Sequence, residues 1–164
     1  MTPSHNTTLT PKVIAPGAGA IPHGPGDISY VKLAAADTDN RLSFTEYHVE
    51  PGAGPPLHVH TLEDETFYIL EGTLSFHVGG KRFEAATGTT LFGPRGVPHC
   101  FKNNTARVAK MILVVTPPKN FEDFYAGISA PGTDGGPPPD AMVMERIGRL
   151  TPLHGITILG PSPL

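Results

Sequence analysis

An all-β barrel or sandwich with a short helical C-terminal extension is the fold class this sequence predicts, on three observations. The 164 residues include 19 Gly and 19 Pro, both above ordinary usage, so the chain turns often and leaves little room for long helices. Between those turns, short segments alternate apolar and polar residues, the period-two signature of a half-buried strand. Beyond Pro118 the alternation stops and two short helical patterns follow. A hydrophobic fraction of 38% supplies a core. A chain of this length suits one domain and removes ~70% of its unfolded surface from water.

The elements follow in order. Residues 1–27 hold five Thr or Ser, five Pro and four Gly among few large apolar groups, and read as an extended or flexible arm. Val13 and Ile14 are its candidate anchors. Ile28 to Ala34 and Leu42 to Val49 read as strands joined by the turn-rich Asp37-Thr-Asp-Asn40. In the second of them Thr45, Tyr47 and Val49 share one face. His58 and His60 follow Pro55-Pro56, which favours extended backbone, and Thr66 to Leu70 returns after a tight turn. Leu74, Phe76 and Val78 alternate with Ser75 and His77, Gly79-Gly80 is a two-residue hairpin turn, and Lys81 to Ala85 comes back. Thr89 to Phe92, Val97 to Phe101 and the apolar Arg107 to Val115 complete the barrel, placed at 28–117. The extension, 118–164, holds a helix from Phe121 to Ala126 capped by Asn120, a Pro/Gly linker over 130–139, and a helix from Asp140 to about Leu150. Asp140 is the expected N-cap of the second helix, and Val143, Ile147 and Leu150 form its apolar stripe.

Composition excludes several partner classes. Net charge is −3 and no basic run of five or more occurs, which argues against nucleic-acid binding through a phosphate-tracking patch. No apolar stretch approaches ~20 residues, so no membrane span is expected. The first residues lack a charged n-region and an apolar h-region, so they do not read as a signal peptide. A single cysteine, Cys100, excludes an internal disulfide and fits a reducing compartment, with the cytoplasm as the expected location.

One stretch carries the chemistry. His58 and His60 stand two apart, so in a strand both imidazoles project from the same face. Glu65 opens the returning strand and comes back towards that face. His99 follows the turn at Pro94 to Gly96. Imidazoles and a carboxylate converging in this way suit a divalent transition metal. The remaining histidines, His5, His23, His48, His77 and His154, read as core or surface residues. Cys100 points away from His99 and reads as buried packing. Arg95 is a surface residue or a rim contact.

The spacing of these residues resembles the cupin superfamily. Its first motif has glycine, five residues, His-x-His, three or four residues, Glu, six residues and Gly. Gly52, His58, His60, Glu65 and Gly72 stand at those positions. Its second motif has glycine, five residues, Pro-x-Gly, two residues, His, three residues and Asn, and Gly88, Pro94, Gly96, His99 and Asn103 match it. The resemblance implies a jelly-roll β-barrel. It also implies His58, His60, Glu65 and His99 as ligands of one divalent metal ion, with Fe, Ni, Mn, Co, Cu and Zn all compatible with that set. The tail from His154 to Leu164 and the stretch from Pro117 to Tyr125 resemble small quercetin-dioxygenase-like cupins.

That second resemblance implies dioxygenase chemistry on a small aromatic or enolisable compound, flavonol- or dicarbonyl-like, with O2 as co-substrate. The matching glutamate of flavonol-cleaving relatives accepts the substrate hydroxyl proton, which implies a catalytic role for Glu65. A non-oxidative isomerase, decarboxylase or lyase, and a non-catalytic module binding a small ligand or metal, are the rival readings. Strand parity places Phe67, Ile69, Phe76, Phe92 and Phe101 on the inner faces, either around a substrate pocket or as plain barrel core. Small cupins are commonly dimers, so the resemblance also implies a homodimer.

Overall fold

Eleven strands in two antiparallel sheets face each other in the computed structural model, which describes residues 9–19, 23–24, 27–118, 121–136 and 138–164. In chain order the strands are β1 (His23–Gly24), β2 (Asp27–Leu33), β3 (Ser43–Val49), β4 (Leu57–His60), β5 (Asp64–Glu71) and β6 (Thr73–Val78). They continue as β7 (Lys81–Ala86), β8 (Thr90–Gly93), β9 (His99–Lys102), β10 (Ala109–Thr116) and β11 (Ile156–Gly160). One sheet has the order β1-β2-β3-β10-β5-β8 and the other β11-β4-β9-β6-β7. This is the all-β jelly roll that the turn density and alternation predict. Two α-helices follow the tenth strand: α1 (Phe121–Ser129) and α2 (Asp140–Leu150).

Alternation decides the core. Along β3 the residues Ser43, Thr45, Tyr47 and Val49 are buried while their neighbours are half exposed. Along β10 the same period buries Ala109, Met111, Leu113 and Val115. These inner faces meet Phe67 and Ile69 of β5, Leu74 and Phe76 of β6, and Phe101 of β9 in one cluster. Removing this apolar surface from water contributes about 25 cal/mol per Å² and is the main force holding the two sheets together. The Gly79-Gly80 hairpin has φ of 57° and 82°, the left-handed pair a tight hairpin requires.

Asn103, the last residue of the second cupin-like motif, has a structural task. Its side chain is fully buried. Nδ2 donates to the carbonyls of Val49 (2.8 Å) and Arg107 (2.7 Å), while Oδ1 accepts from the amide and hydroxyl of Thr105. Its backbone amide donates to Ala53, and Gly52 donates back to its carbonyl. One amide therefore ties the loop after β9 to both β3 and the approach to β4.

Several expectations are corrected. The strand β11 has no counterpart in the sequence reading; it pairs with β4 as Ile156↔His60 and Ile158↔His58, so the tail adds the edge strand beside the histidine strand. Asp140 is the first helical residue of α2, and Pro139 stands at the cap position with extended backbone and no side-chain cap. Val13 is no anchor, being 96% exposed. Residues 9–19 are held by Lys12 to Asp37 (2.6 Å) and by Lys32 to the carbonyl of Ala18 (2.7 Å). Of the expected arm, residues 1–8, 20–22 and 25–26 lie outside the described residues, as does Asn120, the expected cap of α1.

The extension closes one end of the barrel. Phe121 is buried in the barrel cluster, with Tyr125 half-buried against it, while Phe124 and Ile128 pack with Val143 and Ile156 in a second cluster. The last residues cover the outer side of β9: Cys100 Sγ lies 3.6 Å from the Ser162 hydroxyl, and Lys102 donates to the carbonyl of Leu164. Burial pushes the Cys100 thiol up, as befits a packed, inert sulfur. No helix among the described residues is long and apolar enough to cross a membrane.

Candidate metal centre

His58, His60, Glu65 and His99 converge. One ligand atom from each lies within 4.8 Å of the others, and all four residues are buried. Strand geometry explains how. The period of β4 turns His58 and His60 to the same inner face, and the one registered pair between β4 and β9 is His58↔His99. Glu65 comes from the opposite sheet, on β5, across from Gly93 of β8. Gly93 offers no side chain at the point where the His99 ring stands, 3.6 Å from where a Cβ would sit. The cluster thus bridges the two sheets.

The hydrogen bonds around the rings set their tautomers. His58 donates Nδ1–H to the carbonyl of Pro56 (2.8 Å) and His99 donates Nδ1–H to Val97 (2.9 Å). His60 Nδ1 faces Glu63 Oε2 at 3.3 Å. Each Nδ1 is committed outward, so each Nε2 is the nitrogen turned to the cluster, the arrangement metal-binding imidazoles need. His99 Nε2 lies 2.6 Å from Glu65 Oε2, and His60 Nε2 lies 3.7 Å from the same oxygen. The donor set therefore fits a divalent cation at the position where the His99 proton bridges to Glu65.

The electrostatics match that task. Burial works to raise the Glu65 carboxyl, yet His60, His99 and His58 outweigh it and hold it at about 2, so it is ionised. Burial, then the charge of His99, pushes His58 down to about 4, leaving its Nε2 lone pair free at neutral pH. For His99, burial is outweighed by the hydrogen bond and charge of Glu65, and its basicity rises.

Glu63 and Asp64 support the ligands, and the sequence reading singled out neither. Glu63 is 1% exposed and holds His60. Glu63→Gln is expected to lower metal affinity about 10–100-fold, as losses of a carboxylate behind a ligating histidine do. Competition against a chromophoric chelator reads this, and an unchanged constant would show that Glu63 does not orient His60. Asp64 receives Arg95 through two side-chain bonds (3.0 and 2.6 Å) and the Arg95 amide (2.8 Å). The Arg95 guanidinium holds the Asp64 carboxyl at about 2. Arg95 is thus a surface clasp between the turn before His99 and the start of β5.

A cavity of about 200 Å³ opens over the cluster. Phe67 and Phe101 line it, as parity suggests. Ile69 and Phe76 do not; they are 0% and 1% exposed in the barrel core. Phe92 faces outward and is 58% exposed. The β5–β8 register explains this, because Glu65↔Gly93 and Phe67↔Leu91 take the inner face and leave Phe92 beside Thr66 outside. The other walls come from elements the sequence reading left out of the site: Asp27 of β2, Phe121, Phe124 and Tyr125 of α1, Ile147 of α2 and Ile156 of β11. The Phe121 ring stands 5.8 Å from that of His60. Tyr47, which the sequence put on one face with Thr45 and Val49 without saying which face is inward, completes the wall beside Tyr125, edge-on at 6.1 Å. The remaining described histidines stay out of the cluster: His48 binds Glu46 at 2.8 Å and His154 packs on Phe124.

Comparison with known proteins agrees with this construction. The cupin domain pattern matches residues 45–115. A protein of Methanocaldococcus jannaschii is 32% identical over 83 residues, 51% of this chain and 66% of that protein, so the match spans just under two thirds of that relative. An oxalate-binding protein of Thermotoga maritima is 26% identical over 112 residues, 67% of this chain and 89% of that protein. Among solved structures, a predicted oxalate decarboxylase of Thermotoga maritima superimposes with a TM-score of 0.53 at 26% identity, covering 55% of this chain and 79% of that one. The two motifs and the two-sheet barrel coincide with the matched pattern: residues 45–115 of this chain match a cupin domain.

Proposed function

We propose that this cupin is a metal-dependent dioxygenase for a small planar compound bearing adjacent enol or carbonyl oxygens. The observation that carries the reading is the cavity itself. A buried cluster of three imidazoles and a carboxylate lies in a wall of Phe67, Phe101, Phe121, Phe124 and Ile156, and among the described residues no Lys or Arg lines it. An apolar wall of this kind suits the body of an aromatic or enolisable compound.

His58, His60, Glu65 and His99 would hold one ion, with iron, nickel, manganese, cobalt, copper and zinc all suited to the donors. When bound, the ion would supply Lewis acidity to oxygen donors of the compound. The aromatic wall orients the ring of the compound and excludes water. Glu65 is the proposed proton acceptor: the O–H bond of the chelating hydroxyl breaks, its electron pair stays on the substrate oxygen, and the proton passes to the carboxylate. Exposed apolar residues on the first sheet, including Tyr68, Leu70 and Phe92, suit the expected homodimer, which light scattering tests.

The functional test uses full-length protein loaded anaerobically with each metal in turn, then given quercetin or pentane-2,4-dione in an oxygen electrode. Oxygen uptake matched to loss of the compound, absent in His58→Ala, is the expected result. Loss without oxygen uptake would move the assignment to a non-oxidative lyase, isomerase or decarboxylase. Binding without turnover would make the protein a ligand-binding module.

A further inference from the structure

Among the described residues, Asp27 is the one carboxyl lining this cavity outside the metal cluster. It opens β2, opposite Val49 of β3, far in sequence from both cupin-like motifs. Its Oδ1 is buried and accepts no hydrogen bond among the described residues. A bare carboxyl oxygen inside an apolar chamber is costly unless a donor reaches it. Among the described residues no lysine or arginine lines the chamber to do so. Tyr47 of β3 and Tyr125 of α1 are the phenols within its electrostatic reach, and Glu65 of β5 acts on the same two. The three histidines face the chamber from β4 and β9. Burial pushes the Asp27 carboxyl up to about 7, against the pull of its own backbone amide.

We propose that Asp27 is a substrate-binding carboxyl: it accepts a hydrogen bond from a hydroxyl or N–H group on a planar compound whose chelating oxygens sit at the His58–His60–Glu65–His99 cluster. The inference rests on the chelation reading above and deepens it. It makes the substrate bifunctional, with adjacent oxygens at one end and a donor elsewhere on the ring system. A site with a buried acceptor discriminates against a ligand lacking the donor, because the acceptor is then left unpaired.

Two hydroxypyranones test it. Kojic acid carries a hydroxymethyl group across the ring from its chelating oxygens, and 5-hydroxy-2-methylpyran-4-one has a methyl in its place. Zinc-loaded wild-type protein is expected to bind kojic acid about 10-fold more tightly in an absorbance titration. Asp27→Leu removes that preference, and Asp27→Asn, which keeps an acceptor oxygen, restores part of it. An unchanged preference in Asp27→Leu overturns the proposal.

Melting of the metal-free protein gives a reading independent of chelation. A carboxyl raised to about 7 in the fold and titrating in the ordinary range when unfolded favours folding at low pH, and that contribution is lost as pH rises from about 4 to 7. Asp27→Asn is therefore expected to melt several degrees above wild type at pH 8 and level with it at pH 4. Equal or lower melting at pH 8 would mark Asp27 as a paired structural carboxylate and overturn the proposal. Failure of both pyranones to bind, with the pH 8 stabilisation intact, would count against the chelation reading and leave Asp27 as the cavity's unpaired acceptor.

Discussion

Replacing His99 with alanine is expected to abolish stoichiometric metal binding. A four-ligand site worth about 10–16 kcal/mol owes roughly 3 kcal/mol to each ligand, so affinity should fall about 100-fold or more. The loss exceeds that of one donor, because His99 is the near partner of Glu65, at 2.6 Å, inside a buried site. Without it the carboxyl loses its nearest partner, keeps only the charges of His60 and His58, and takes up a proton more readily. Elemental analysis and a chelator competition measure the first effect. Melting measures the second consequence, since the ligands come from both sheets and an ion would fasten them together. At 100 times its dissociation constant the ion adds about 2.7 kcal/mol. That corresponds to roughly 5–10 °C in Tm for a chain of this size. The shift should vanish in His99→Ala and persist in Glu71→Gln, which touches only the exposed Lys110 pair. A full metal shift in His99→Ala would mean that the ion sits elsewhere. Metal must also displace the His99 proton, so loading should tighten as pH rises.

Gly54→Ala is expected to be the most damaging small substitution in the chain. Gly54 has φ of 154°, and a Cβ there would stand 2.1 Å from the carbonyl oxygen of Phe101. The obstacle is backbone in β9 and cannot swing aside. Strain and displacement together cost about 3 kcal/mol or more. The same shift would move Pro56, whose carbonyl holds the His58 ring, so metal affinity should fall with stability. Gly52→Ala is the control. Gly52 also has positive φ, 81°, but a Cβ there meets nothing within 4 Å. It should cost about 1–2 kcal/mol, the ordinary penalty of the left-handed conformation, and leave metal affinity unchanged. Equal melting of the two variants would show that β9 yields at this point.

Local periodicity put His58 and His60 on one face and the turn length returned Glu65, while the full set with His99 was what the resemblance to the cupin motifs implied. That Thr45, Tyr47 and Val49 of β3 share a face was readable from the same periodicity, and their burial shows that it is the inward one. Such signals live within one strand and its turn. Contacts between distant segments carry no such mark. Phe92 obeys alternation, yet which of its two faces is inward depends on pairing with β5, where Gly93 must stand opposite Glu65. The edge strand β11 exists because β4 presents an open side for it. Glu63 shows the middle case: its position three residues after His60 was visible, but its burial follows from packing.

Asp27 lies furthest from anything local patterning could reveal. It stands next to a segment read as an arm, and only its place in the cavity wall, opposite α1, gives its carboxyl a purpose. The residues that could hold an ion were thus written into the order of the chain, while those that would choose the substrate depend on how the two sheets and α1 close over them. The physical reason is range. Backbone alternation acts over a few residues, whereas register, burial and the desolvation of a lone carboxyl arise only when elements from opposite ends of the chain meet.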